Sequence, residues 1–454
     1  MVLNSTATKA TGTTRWNSTT PTATVFSVGT DATVNANGGT YVAYLFAHND
    51  GGFGLAGTDN VISCGSYTTS ALATATINLD YEPQWLLAKP ASTTGNWFLL
   101  DTMRGFNLTS NSELYSNLAN AEGTGASNLY PTSTGFVDPG NFGANLNIVY
   151  IAIRRGPMKT PTSGTSVLGL NARSGNATNT AITSVGFSPD LLIIKERGVG
   201  GGNGWTQDRL RGPTNPMFTN ATSAESTAST GVQSFDMTGY TVGTTTGINN
   251  SGDTFIDWSF LRAPSFMDVV CWYGDPATVN HNLTVVPELI IQKNRTTTQG
   301  WGVWRPGINY GFLNTTAAFT TYTSGTVTST TFTPLATGSG TSNYVAYLFA
   351  SCSGVSKVGS YTGTGTTKQI DCGFTGGARF VLIKRTDSTG DWYVWDSARG
   401  IVASTDPYLT LNTTAAEVTT TDWVDTYSAG FELSSNAGNN VNINGASYIF
   451  LSVA

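Results

Sequence analysis

The seven residues YVAYLFA occur twice, letter for letter, at 41–47 and at 344–350. The heptad is apolar on both of its alternating faces, with Tyr, Ala and Leu on one and Val, Tyr and Phe on the other. That pattern fits a strand in the middle of a sheet covered on both sides. Degenerate copies fill the interval and follow it: NIVYIAIRRGP around residue 148, TFIDWSFLRAP around residue 255 and YIFLSVA from residue 448. Successive starts at 41, 148, 255, 344 and 448 are separated by 107, 107, 89 and 104 residues. A period near one hundred is too long for a solenoid turn or a propeller blade and suits a small β domain.

A second marker keeps the same period. Each interval holds an apolar run ending in lysine: PQWLLAK to Lys89, PDLLIIK to Lys195, PELIIQK to Lys293 and ARFVLIK to Lys384. Pro83, Pro189 and Pro287 open three of these runs, at the first position of a strand, where proline is tolerated. Eight to ten residues beyond each lysine stands a tryptophan, Trp97, Trp205, Trp301 or Trp392. In three intervals it leads into an Asp-x-x-Arg-Gly turn pairing Asp101 with Arg104, Asp208 with Arg211 and Asp396 with Arg399, while the third has WGVWRPGIN instead. LNTTAA then appears at 313 and 411, with LNSTAT at 3, followed by an aromatic strand opener at Phe26, Phe136, Tyr240, Phe332 and Phe431.

Five terminal strands thus accompany four Lys–Trp halves. The chain reads as an N-terminal half-module at 1–47 and four modules at 48–155, 156–262, 263–350 and 351–454. Within each, short runs rich in Thr, Val, Ile, Tyr and Phe are punctuated by Gly, Asn, Asp and Pro, and no stretch sustains a 3.6-residue period. The expected fold is all-β: tandem antiparallel β-sandwich modules, jelly-roll-like, of about 100 residues. Both ends finish in the same kind of half, so an open string is expected rather than a ring closed by complementary ends. Residues 1–47 then either cap module 1 or dock on another subunit.

Charged residues make up only 11% of the chain, against about 25% in ordinary soluble domains. With Thr, Ser, Asn and Gly filling the space, the surface is polar but nearly uncharged, suited to sugars or to copies of a neighbouring subunit. A net charge of −6 without a basic stripe argues against nucleic acid. The start lacks an apolar export segment and no run is long enough to span a bilayer, so a chain made in the cytoplasm without membrane insertion is expected.

Material for chemistry is sparse. His48 and His281 have no metal-ligand spacing, and Cys64, Cys271, Cys352 and Cys372 read as reduced thiols, so neither metal nor cofactor is expected. GVGGGNG at 198–204 lacks the lysine of a phosphate-binding loop and reads as a hairpin tip. The repeated Asp–Arg spacing reads as a structural ion pair in a turn, since an arginine beside an aspartate lowers its pKa and unsuits it as a general acid. The four tryptophans have two readings, core packing or stacking on a sugar face, with packing favoured for a residue repeated once per module. Asn-x-Thr/Ser triplets such as those at Asn4, Asn17, Asn107, Asn282, Asn314 and Asn412 read as compositional, not as glycan acceptors.

The order Lys, WxxWDSARG, LNTTAA, Gly-Phe, YVAYLFA resembles an uncharacterised repeat domain of tailed-bacteriophage virion proteins, common in phages of marine bacteria and cyanobacteria. Residues 384–454 and 313–350 carry the resemblance best. It implies a non-enzymatic structural protein of the virion, tail-fibre-like or lectin-like, with no catalytic residue to carry over. The expected function is host-surface attachment by a tail-associated homo-oligomer among other virion subunits, with a host-surface glycan as candidate ligand. A capsid decoration protein and a polysaccharide-degrading tailspike are the alternatives.

Overall fold

A computed structural model describes residues 1–454 apart from 55, 107–110, 125–128, 157–158, 199–200, 307–308, 323–324, 336–339, 436–437 and 439. The chain is nearly all β, built from antiparallel sheets that repeat one plan four times. Each module has an opening strand, a lysine strand, a tryptophan strand and a closing strand. In module 3 these are Met267–Tyr273, Leu289–Asn294, Gly302–Arg305 and Asn343–Phe349. The closing strand lies between the opening and lysine strands, hydrogen-bonded to both. The same order holds in modules 1, 2 and 4. A smaller sheet of two or three strands, such as Lys368–Asp371, Gly430–Leu433 and Val424–Tyr427 in module 4, completes the sandwich.

Alternation along the closing strand sorts its side chains. In module 3, Tyr344, Ala346 and Leu348 enter the core between the two sheets with Trp304 and Phe332. Val345, Tyr347 and Phe349 point the other way and are also buried, in a cluster to which modules 2, 3 and 4 all contribute. Burying a large apolar side chain is worth about 1.5–3 kcal/mol, so this shared cluster ties three modules into one body. The expected open string therefore fails for modules 2–4. Their large sheets pack face to face, because a sheet apolar on both sides cannot leave its outer face in water.

Module 1 joins this body through a buried charge cluster. Arg155 of module 1 pairs with Glu82 at 2.5 Å and also with Asp190 of module 2. Arg209 holds Asp190 at 2.7 Å, and Arg262 bridges Glu82 at 2.9 Å to Asp268 of module 3 at 2.5 Å. Three guanidiniums face three carboxylates, all essentially buried. Burial pushes Asp190 up, but Arg209, Arg155 and Arg262 outweigh it and hold the carboxyl at about 2.

Residues 1–47 depart from the expected β half-module. They form two one-turn helices, Thr13–Trp16 and Ala32–Asn35, and no strand. The heptad at 41–47 lies on the surface in neither helix nor strand.

Candidate functional site

The residues singled out by the repeat converge on the joints between modules. Each lysine strand carries, next to its last residue, a lysine whose charge meets carbonyls. Lys293 of module 3 donates to the Thr222 carbonyl of module 2 at 3.3 Å. Lys384 of module 4 donates to Thr316 of module 3 at 3.0 Å, and Lys195 of module 2 to Thr413 of module 4 at 2.8 Å. Modules 2, 3 and 4 thus form a closed cycle. Desolvation outweighs the nearby carboxylates of Glu196, Glu225 and Asp391 and pulls Lys195, Lys293 and Lys384 down to about 8.

Backbone bonds reinforce each joint. Between modules 3 and 4, Phe319 N–H donates to the Thr386 carbonyl and Gly390 N–H to that of Thr316. Between modules 2 and 3, Glu225 N–H donates to Arg295 and Gln299 N–H to Thr222. The asparagine of each LNTTAA-type loop has a structural duty: Asn314 and Asn412 accept the N–H of Trp301 and Trp392, each at 2.9 Å.

The four tryptophans divide. Trp301 and Trp392 are buried in the shared cluster, and their indole N–H groups donate to the carbonyls of Phe218 and Phe312 in the preceding module, at 2.8 and 3.0 Å. Trp97 is half-buried and makes the matching bond to Val2 at 3.1 Å, so residues 1–9 hold module 1 as a preceding module would. Trp205 is different. Gly204, not Trp205, makes the bond to the loop asparagine, Asn220, at 3.0 Å. One residue further along, Trp205 faces the opposite side of the sheet and packs on Phe218 inside module 2.

The Asp–Arg turns are buried ion pairs with a further partner. Arg211 Nε lies 2.5 Å from Asp208 and Arg399 Nε 2.6 Å from Asp396, with all four side chains inaccessible. The Arg104–Asp101 pair, at 2.7 Å, is about one-fifth exposed. The glycine that ends each turn is required, since Gly105, Gly212 and Gly400 have φ of 110°, 88° and 119°. Each aspartate in the cycle also serves the next module. Asp208 accepts from the Tyr347 hydroxyl of module 3 at 2.7 Å, and Asp396 from the Trp258 indole of module 2 at 2.9 Å. Module 3 has no such turn, and module 4 carries Leu451 at the matching register of its closing strand.

Three groups of residues escaped the sequence reading. Glu225 and Glu417 take the outer nitrogen of Arg211 and Arg399 and also pair with Arg295 and Arg197 of the adjoining module. Their signal was a glutamate six residues after Thr219 and Leu411, met by an arginine two residues past the lysine. The junction arginines Arg155 and Arg262 share an Arg-x-Pro sequence that begins one or two residues after a closing strand. Asp406, Asp422 and Asp425 bring carboxylate oxygens within 4.8 Å of one another, the only such acidic trio among the described residues. Desolvation, with the neighbouring aspartates, pushes Asp406 up to about 7 and Asp425 up to about 6. As hard oxygen donors they are also the residues that could hold a divalent cation. Nothing in their spacing announced this, because Asp406 comes from a separate loop.

The remaining candidates are local. His48 accepts the Cys64 N–H, and His281 accepts the Leu283 N–H in a turn. All four cysteines are free. Val199 and Gly200 of the glycine-rich stretch lie outside the described residues, while the Gly202 carbonyl accepts a bond from Lys195 at 2.9 Å. No helix among the described residues is long and apolar enough to cross a membrane.

A family model described as a domain of unknown function, DUF7483, matches residues 1–143 and 167–454. No curated protein matches the chain.

Proposed function

We propose that this chain, which belongs to the DUF7483 family, is a non-enzymatic structural protein of a tailed-phage particle, tail-associated and acting in attachment to the host surface. The observation that carries the structural role is the use made of its reactive side chains. Asp208 and Asp396 each hold an arginine of their own turn and a donor from the neighbouring module's closing strand. Lys195, Lys293 and Lys384 each clasp a neighbour's backbone. These groups join modules, and a protein that repeats one joint several times is built to assemble. The phage reading is supported by the resemblance of the repeat, and attachment through weak contacts multiplied over subunits follows from avidity. With Trp301 and Trp392 packed between modules and Trp205 inside one, Trp97 is the recurring indole best placed to meet a glycan.

Immunogold labelling of intact particles with antibody to this chain tests the proposal. Gold on the tail is the expected result. Gold over the head shifts the role to capsid decoration, and particles without gold overturn the virion assignment.

A further inference from the structure

Modules 1, 2 and 3 enclose a cleft of about 200 Å³ where their chains meet at the buried charge cluster. Glu82, Arg155 and Arg262 of that cluster line it. Asp59, Tyr81 and Arg154 complete the side formed by module 1, and Asn282 and Thr284 belong to the side formed by module 3.

One donor of the cluster is left over. Arg155 is inaccessible and its two terminal nitrogens pair with Glu82 and Asp190, but its Nε–H has no hydrogen-bond partner. A buried guanidinium N–H without an acceptor is costly, and folds rarely retain one without a reason. Beside it Arg154 is loosely held. Its contacts to the Asp59 carboxylate and the Asn60 carbonyl are 3.4 and 3.5 Å long, and its guanidinium rests over the Tyr81 ring, 5.8 Å from the centroid. Asp59 is 37% exposed. The cleft therefore combines unused donors on one wall with a weakly engaged carboxylate.

Charge decides what can fill it. Arg154, Arg155, Arg209 and Arg262 are matched by Asp59, Glu82, Asp190 and Asp268, so no net field draws in an ion. An oxyanion would meet the carboxylates, and an ammonium would meet the arginines. A hydroxyl suits both, because it accepts from a guanidinium and donates to a carboxylate at once. Ala56, Ala263, Pro264 and Met267 add apolar surface, the match for the C–H face of a ring that bears hydroxyls. The volume falls below the roughly 300–1,000 Å³ of pockets for drug-sized ligands, which suits a single ring and not a chain of them. Thr284 is held at φ 67°, a left-handed backbone that a β-branched residue rarely takes. Strain of this kind persists where the surrounding fold imposes it, and it clusters at ligand sites.

We propose that this cleft binds one uncharged sugar residue, whose hydroxyls accept from Arg154 and Arg155 and donate to Asp59. The inference rests on the attachment reading only for the source of the sugar, a glycan of the host surface. The chemistry of the cleft stands apart from it.

Saturation-transfer NMR on the full chain tests the site, with glucose, galactose, mannose and N-acetylglucosamine as probes and glucuronate and glucosamine as charged counterparts. At least one neutral sugar is expected to bind, at least about tenfold more tightly than either charged one. Arg154→Met and Asp59→Asn, both on partly exposed side chains, each weaken that binding at least about tenfold with the thermal transition unchanged. Trp97→Ala leaves it as it was. Failure of all four neutral sugars to bind overturns the proposal, as does binding that both cleft substitutions leave intact, or a charged sugar bound as tightly as the neutral one. Loss of binding in Trp97→Ala alone moves the sugar to that indole, which overturns this site and keeps the attachment reading. Sugar bound in the cleft, together with particles that carry no gold, keeps the site and overturns that reading.

Discussion

The two copies of YVAYLFA separate what a strand sequence permits from what makes it a strand. At 344–350 Val345 and Leu348 are fully buried, and Tyr347 reaches into the next module to donate to Asp208. At 41–47 the same residues form no strand and lie exposed to solvent. A strand satisfies its backbone only through neighbours, so identical side chains give different structure where the neighbours differ. The contrast extends along the molecule: modules 2–4 close on one another, while module 1 and residues 1–47 repeat half of each joint.

The sharpest way to break the comparison is one substitution made in both copies. Val345→Asp places an unpaired charge in the shared cluster and costs about 4–5 kcal/mol or more, so the thermal transition is lost or drops steeply. Val42→Asp stays within about 0.5 kcal/mol. Equal effects at the two positions would mean that 41–47 is already packed in solution.

A smaller effect separates the turns. Asp396→Asn leaves the buried Arg399 with the Glu417 carboxylate but without that of its own turn and weakens the Trp258 contact, at about 3 kcal/mol. Asp101→Asn, in a partly exposed pair, costs about 1 kcal/mol. Urea melts of the two variants measure the difference. Trp392→Ala is expected to lose about 3–5 kcal/mol of stability. Trp97→Ala should lose less and free residues 1–9, which limited proteolysis reads as faster cleavage ahead of module 1.

The smallest prediction concerns pH. Lys195, Lys293 and Lys384 titrate near 8 in the fold, against 10.5 when unperturbed. From about pH 8 upward the unfolded chain therefore holds more protons, and stability rises with pH. Above about pH 9 the trend turns over and stability falls, because the thiols of Cys271 and Cys372, held up at about 12 by burial, and the hydroxyls of Tyr240, Tyr347 and Tyr361, held well above 10.0 by burial, keep protons that the unfolded chain gives up. Denaturant midpoints from pH 7 to 10 check the curve. A monotonic fall would show the lysine clasps open in solution.

Much of the plan was legible because it is periodic. Alternation in YVAYLFA assigned both faces of the closing strand correctly, and the proline-opened runs ending at Lys89, Lys195 and Lys293 located the strands beside it. Trp205 was grouped with the other tryptophans by its distance from lysine, although its distance to the following aspartate differs by one. Trp97 and Trp392 stand four residues before theirs and Trp205 three, and in a strand one residue reverses the face. Glu225 and Glu417 were legible in principle by the same counting. The trio of Asp406, Asp422 and Asp425 was not, since the loops that bring it together have no shared spacing.

The sequence by itself determined the module: its length, its strands, which faces are apolar and where each turn carries an Asp–Arg pair. These follow from local rules, the period-two alternation of a strand and the backbone freedom of a glycine, which act over a few residues. Only the tertiary structure decided that the outer faces of modules 2–4 meet in one closed cycle, that Arg155 and Arg262 lock module 1 onto it, and that one heptad is buried while its copy is bare. Those outcomes depend on which surfaces are close enough to exclude water together, a property of distances between segments hundreds of residues apart.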